Sequence, residues 1–170
     1  VHFLLGPATV ALAVPLAEQM RKLRRAWFAL TVGLAVGVVV AMVSALAIAW
    51  LLGASPATIA SLAPKSVTTP VAMGISEKIG GIPSLTAVVV VLTGIVAAAL
   101  GRFVFDAFGV RSHAVRGFAI GLAGHGQGVA RAFIVSDEAG AFAGLAMGLT
   151  ALATALIAPW LAPWVIALLH

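Results

Sequence analysis

The residues of this chain that could do chemistry gather at two places. Lys65, Ser66, Thr68 and Thr69 precede Pro70 in the string KSVTTP, and His125, Gln127 and Arg131 sit among glycines in GLAGHGQGVARAF at 121–133. A lysine inside an apolar segment costs at least a few kcal/mol unless it is paired, hydrated or able to snorkel to an interface. The neighbouring hydroxyls can donate to an anion. Thr69 followed by Pro70 reads as the N-cap and first residue of a helix whose free amides and dipole favour negative charge. In the second string, glycine permits close backbone approach, histidine changes charge near neutral pH, and arginine clamps a carboxylate with two parallel bonds. Together, Lys65, Ser66, Thr68, Thr69, His125, Gln127 and Arg131 are expected to converge on one site for a small organic acid. The bland alternatives are capping, packing and interfacial anchoring.

Glu77 and Asp137 are candidate proton carriers. Pairing of Glu77 with Lys78, and of Asp137 and Glu138 with Arg131, is the competing reading. The four histidines, at 2, 113, 125 and 170, have no metal-ligand spacing, and there is no cysteine. No nucleophile is set beside a base, and no phosphate loop is present, so neither an enzyme nor a cofactor is expected.

These residues stand out because the rest of the chain is so apolar. Of 170 residues, 62% are hydrophobic and 9% charged, against about 25% charged in a soluble domain. The mean hydropathy of +1.17 makes this a membrane protein. Its net charge of +5 reads as an orientation signal, not a nucleic-acid footprint, because no aromatic readers are interleaved with the basic residues.

Three uncharged stretches, 29–52, 79–101 and 139–169, are long enough to span the ~30 Å hydrocarbon core at ~1.5 Å per residue. In the second, Pro83 and Ser84 read as the first turn, and Gly101 before Arg102 as the end. The third contains Pro159 and Pro163 and is expected to span once and then bend, with Trp160 and Trp164 at the interface. The segments 4–19, 58–78 and 114–135 are instead interrupted by proline, glycine or polar residues. Broken backbone at membrane depth survives only when it is buried in protein or lines a wet cavity.

The cluster Arg21, Lys22, Arg24 and Arg25 and the group Arg102, Arg111 and Arg116 should both face the cytoplasm. An even number of crossings then separates them. Segments 58–78 and 114–135 become re-entrant hairpins of opposite orientation, or, if each crosses, discontinuous spanning helices. A repeat at an offset of 60 supports the pairing: Leu62, Ala63, Ala72, Ser76, Gly80 and Leu85 match Leu122, Ala123, Ala132, Ser136, Gly140 and Leu145. Paired interrupted segments in two halves of a chain point to a transporter site at the repeat interface. The expected fold is an all-α polytopic membrane protein, a single transmembrane domain over 1–170 with an inverted repeat. Val1 opens directly in an apolar stretch, so further residues are expected upstream.

The strings LLGPATVALAVPLAEQ at 4–19, KSVTTPVAMGISEKIGG at 65–81, RGFAIGLAGHGQGVARAF at 116–133 and SDEAGAFAGLAMG at 136–148 closely resemble the LrgB/CidB family. That resemblance covers nearly the whole chain. It implies an antiholin-like protein of the bacterial inner membrane, linked to control of murein hydrolase export and lysis and often encoded with a small holin-like LrgA/CidA partner. It equally implies transport, since related proteins are implicated in pyruvate uptake and the plastid glycolate/glycerate translocator carries a similar domain. Where a typical member has a small apolar residue after the histidine and glycine, this chain has Gln127. The expected partners are membrane lipid, a small organic anion, an LrgA/CidA-like protein and further copies of the chain. A carrier of small monocarboxylates, coupled to an ion, suits the broken segments better than a lysis regulator does, because a regulator has no need of costly intramembrane polar groups. An oligomeric channel would want a polar face along a helix, which 29–52 lacks.

Overall fold

The computed structural model describes Pro15 and residues 17–169; of the interrupted segment expected at 4–19, residues 4–14 and 16 lie outside the described residues. Among the described residues there are six helices and no strand: α1 (Met20–Leu51), α2 (Pro56–Leu62), α3 (Thr69–Lys78), α4 (Pro83–Ala107), α5 (His113–Val135) and α6 (Asp137–Leu169). Helices α1, α4 and α6 are long and apolar enough to cross a membrane. Each is rich in Leu, Ala and Val, carries its few charges at its ends, and leaves large apolar side chains outward, as lipid-facing helices do.

Two expected boundaries shift. Helix α4 does not stop at Gly101 but continues through Arg102 to Ala107, with Arg102 3.6 Å from Asp106 one turn on. Helix α6 runs unbroken with Pro159 and Pro163 inside it, so the expected bend does not interrupt it; Trp160 and Trp164 remain outward-facing, 82% and 62% exposed. Helices α1, α3 and α4 end on the same device. Gly53, Gly80 and Gly109 take left-handed φ, and the next amide bonds back to the carbonyl of Ala49, Ser76 or Phe105.

Ion pairs and close contacts fix the direction of each element. Lys22 at the start of α1 bonds Glu138 at the start of α6 (2.8 Å). At the same end, Arg116 of α5 bonds Asp106 of α4 and the carbonyl of Val110. Arg21, Lys22, Arg24, Arg25, Arg102, Arg111 and Arg116 therefore share one end of the bundle, as the positive-inside argument required. At the other end lie the close of α1, the start of α2, Lys78, and the last turns of α6, where Ala49, Ile59, Ile75, Ala162 and Val165 join one buried cluster.

Both interrupted segments are hairpins. In the first, the carbonyl of Ser61 on α2 and the Oγ of Ser76 on α3 lie 2.9 and 2.7 Å from the same Thr86 hydroxyl, so the two arms run back beside each other. Ser61 Oγ also accepts the Ile82 N–H at 2.7 Å. The Thr86 hydroxyl is thus the donor within reach of the Ser61 carbonyl, the Ser76 Oγ and, at 3.2 Å, the Ile82 carbonyl. All three residues are buried, and removing one partner of a buried hydrogen bond costs about 1–3 kcal/mol. Thr86→Val keeps the shape and deletes the hydroxyl; it is expected to destabilise the protein by about that amount. Chemical unfolding in detergent checks this, and an unchanged midpoint would show that the hydroxyls do not hold the hairpin.

In the second hairpin, α5 contains a non-helical residue, His125, and turns back on itself. A side chain at Gly128 would overlap the Ile120 carbonyl, and Arg131 and Ala132 of the second arm line one cavity with Arg116 and Gly117 of the first. The unit α2–α3–α4 enters from the end remote from the basic residues and then spans. The unit α5–α6 enters from the basic end and spans the other way. The inverted repeat is therefore present in the fold.

Candidate functional site

The tips of the two hairpins meet α4 at mid-length. Residues 63–68 form a chain of tight turns, with Lys65 N–H bonded to Leu62 and Val67 N–H to Pro64. Thr68, not Thr69, is the N-cap of α3; Thr69 and Pro70 form its first turn, and no side chain caps it. The one-residue shift follows from proline tolerating either of the first two helical positions, which lack intrahelical N–H bonds anyway. Lys65 and Ser66 line an open cleft of about 470 Å³ with Ala41 of α1, Val89, Leu92, Thr93, Val96 and Ala97 of α4, and Ala123 of α5. Thr68 and Thr69 are half-buried on the following turn.

The second tip reaches the same stretch of α4. His125 is buried, and its Nε2 lies 2.9 Å from the Val90 carbonyl. A carbonyl only accepts, so Nε2 carries the proton and Nδ1 is left as the free ring nitrogen. Gln127 Oε1 is buried with no hydrogen-bond partner, and both it and His125 Cε1 occupy the space a side chain at residue 94 would need. Gly94 is the gap that lets the second hairpin approach α4.

His125 holds φ 39° and ψ −129°, a backbone conformation that glycine tolerates and other residues enter at a cost of about 1–3 kcal/mol. Its flanking glycines leave the ring to be fixed by Val90. His125→Gly is expected to match or exceed the parent in stability while losing the imidazole, whereas His125→Ala keeps the strain and loses the hydrogen bond, and should be the least stable of the three. Unfolding midpoints order them; an alanine variant as stable as the glycine variant would mean the backbone is not strained.

The electrostatics of the first tip are lopsided. Among the described residues, Lys65 makes no ion pair or side-chain hydrogen bond, and the nearest carboxylates in sequence lie at the helix ends. Glu77 is at the exposed end of α3, and Asp137 at the start of α6, on the opposite side of the bundle. Neither approaches the tips. Arg131 is also elsewhere, in a cavity at the basic end with Arg102 and Arg116. The structure thus brings together Lys65 and Ser66, with Thr68 and Thr69 beside them, and separately His125 and Gln127 on the same part of α4. It does not bring Arg131 to them, because a hairpin turning at 125 carries residue 131 back to the level of Arg116. No group of three or more His, Cys, Asp or Glu able to hold a metal occurs among the described residues.

The model of the LrgB-like family matches residues 1–164. The chain belongs to this family. YwbG of Bacillus subtilis (strain 168), described as uncharacterized, is 39% identical over 144 residues, covering 85% of this chain and 64% of its own length. The antiholin-like protein LrgB of Bacillus mycoides (strain KBAB4) is 35% identical and that of Bacillus cereus (strain B4264) 34%, each over 86% of this chain and 64% of the relative. The chain therefore spans a little under two thirds of the length of these curated relatives. No solved structure matches it. Within this LrgB-like chain, a reading of the sequence overlooks Gly94 and the trio Ser61, Ser76 and Thr86. A glycine inside the apolar run of α4 was the available signal for the first. The hydroxyl trio had none, since residues that far apart are joined only by the hairpin.

Proposed function

We propose that this chain forms the mid-membrane binding region of a carrier for small monocarboxylates of the 2-oxo or 2-hydroxy class. The observation that carries the reading is Lys65: an ammonium at the tip of a re-entrant hairpin, midway along α4, with no carboxylate partner among the described residues. A cation in that position calls for an anion, and the cleft beside it supplies room for one. Ser66, Thr68, Thr69 and the first amides of α3 surround the carboxylate. His125 and Gln127 face the stretch of α4 that backs the cleft and supply polar contacts from the second hairpin. Opposed hairpins meeting at mid-depth are the architecture in which two halves of a carrier rock about one site. By the positive-inside argument the basic end faces the cytoplasm of a bacterial cell membrane.

Uptake of labelled pyruvate, glycolate and glycerate into vesicles holding the purified full-length protein tests the reading. Saturable uptake of at least one acid is expected. Absence of uptake of all three, with and without a small holin-like membrane protein, would sink it. The name of the relatives, antiholin-like, favours the second reading, in which the protein acts on lysis by assembling with such a holin-like partner.

A further inference from the structure

Arg102, Arg116 and Arg131 line a cavity of about 260 Å³ at the basic end, walled otherwise by Phe105, Ile120, Val135 and small residues. It lies between the end of α4, both arms of α5 and the start of α6, away from the Lys65 cleft. A single carboxylate, Asp106, serves two of the three guanidiniums: Arg116 bonds it directly and Arg102 stands 3.6 Å from it. Arg116 is further fixed by the Val110 carbonyl and by the Phe105 ring, 5.7 Å from its centroid. Glu138, at the start of α6, is taken by Lys22. Arg131 makes no ion pair or side-chain hydrogen bond among the described residues, yet it is half-buried and turned into the cavity.

We propose that this cavity binds a phosphate group, with Arg131 as its principal ligand and Arg102 as the second. Three guanidiniums against one carboxylate leave an excess of two positive charges. A monocarboxylate or a lipid phosphodiester neutralises one and a phosphate monoester nearly both, and a phosphate group offers the planar guanidiniums more than one pair of oxygens. The apolar walls leave room beside the phosphate for the carbon of an ester. Val135 both lines the cavity and is exposed, so the apolar wall reaches the outer surface, at the level where a headgroup meets its chains. A lipid phosphodiester and a free phosphate share this chemistry.

Thermal unfolding of the full-length protein in nanodiscs separates them. One arm adds inorganic phosphate to phosphatidylcholine discs, and the other replaces part of the phosphatidylcholine with phosphatidylglycerol. An upward shift in the second arm alone assigns the site to lipid; a shift in both assigns it to free phosphate as well. In either case Arg131→Gln is expected to weaken the apparent affinity at least tenfold. Arg102→Gln, whose side chain is 70% exposed and whose loss cannot disturb packing, should weaken it in the same direction. Arg24→Gln, on the basic end but outside the cavity, should leave it unchanged. No shift in either arm, a shift that survives both cavity substitutions, or a loss in Arg24→Gln equal to that in Arg131→Gln would overturn the proposal.

Discussion

Lys65→Met is expected to raise stability and abolish anion binding at once. The substitution keeps length and apolar stem while removing a charge that has no partner among the described residues. A lysine at the centre of a spanning segment costs about 2.5–3.5 kcal/mol on insertion scales. Part of that cost is relieved by water in the cleft, so a gain of about 1–3 kcal/mol is the expected range in the absence of ligand. The parent protein should respond to a bound acid, gaining about 2.7 kcal/mol at a hundred times the dissociation constant, whereas the methionine variant should not respond. Unfolding midpoints measured with and without pyruvate or glycolate read both signs. A variant less stable than its parent would identify Lys65 as a structural group with a partner; a variant that still responds to the acid would remove Lys65 from the site.

Gly121→Val is expected to have a large and purely structural effect. A Cβ on Gly121 would overlap the backbone carbonyl and Cα of Ala143, and one on Gly117 would meet the same atoms of Ala139. Backbone cannot rotate away as a side chain can, so α5 and α6 must separate along their whole contact. Overpacking of a tight interior costs about 1–3 kcal/mol, occasionally more. Here the upper part of that range or beyond is expected, because a separation also dislodges Phe118, Leu122, Phe142 and Ala146, which form one buried cluster with Leu23 of α1. Gly126→Ala, where a side chain meets nothing, is the matched control and should be far milder. Detergent-solubilised yield and unfolding midpoint compare the two; equal losses would contradict the close approach.

The spans were legible because a bilayer imposes a length that uncharged runs advertise: 29–52, 79–101 and 139–169 lie within or overlap α1, α4 and α6. The interruptions at 58–78 and 114–135 were legible for the complementary reason, since Lys65 and the glycines around His125 cannot sit in lipid-facing helix; that both turn back instead of crossing is what the structure adds. Even the opposed orientation of the two interrupted segments followed from the two arginine groups sharing an end. What periodicity could not supply was register within a turn. Nothing in GHGQG says that the histidine, rather than a glycine, takes the positive φ, and the reversal of the chain there carries Arg131 back beside Arg116 and away from Lys65. The end of α4 was misplaced for a similar reason: Arg102 looked like a terminus until its pair, Asp106, placed it inside the helix.

The two halves of the repeat share a plan but are fastened differently. In the first, the hairpin is pinned to its spanning helix by directional bonds through Ser61, Ser76 and Thr86. In the second, the contact is a smooth track in which Gly117 and Gly121 ride on the backbone of Ala139 and Ala143, and no side-chain hydrogen bond crosses between the first arm of α5 and α6 among the described residues. A slide of one helical turn would break three hydrogen bonds in the first half; across the track it would break none but would bring bulkier residues against the α6 backbone. The molecule thus has one half held by directional bonds and one held by close backbone fit, so loss of a hydroxyl loosens the first and an added side chain the second.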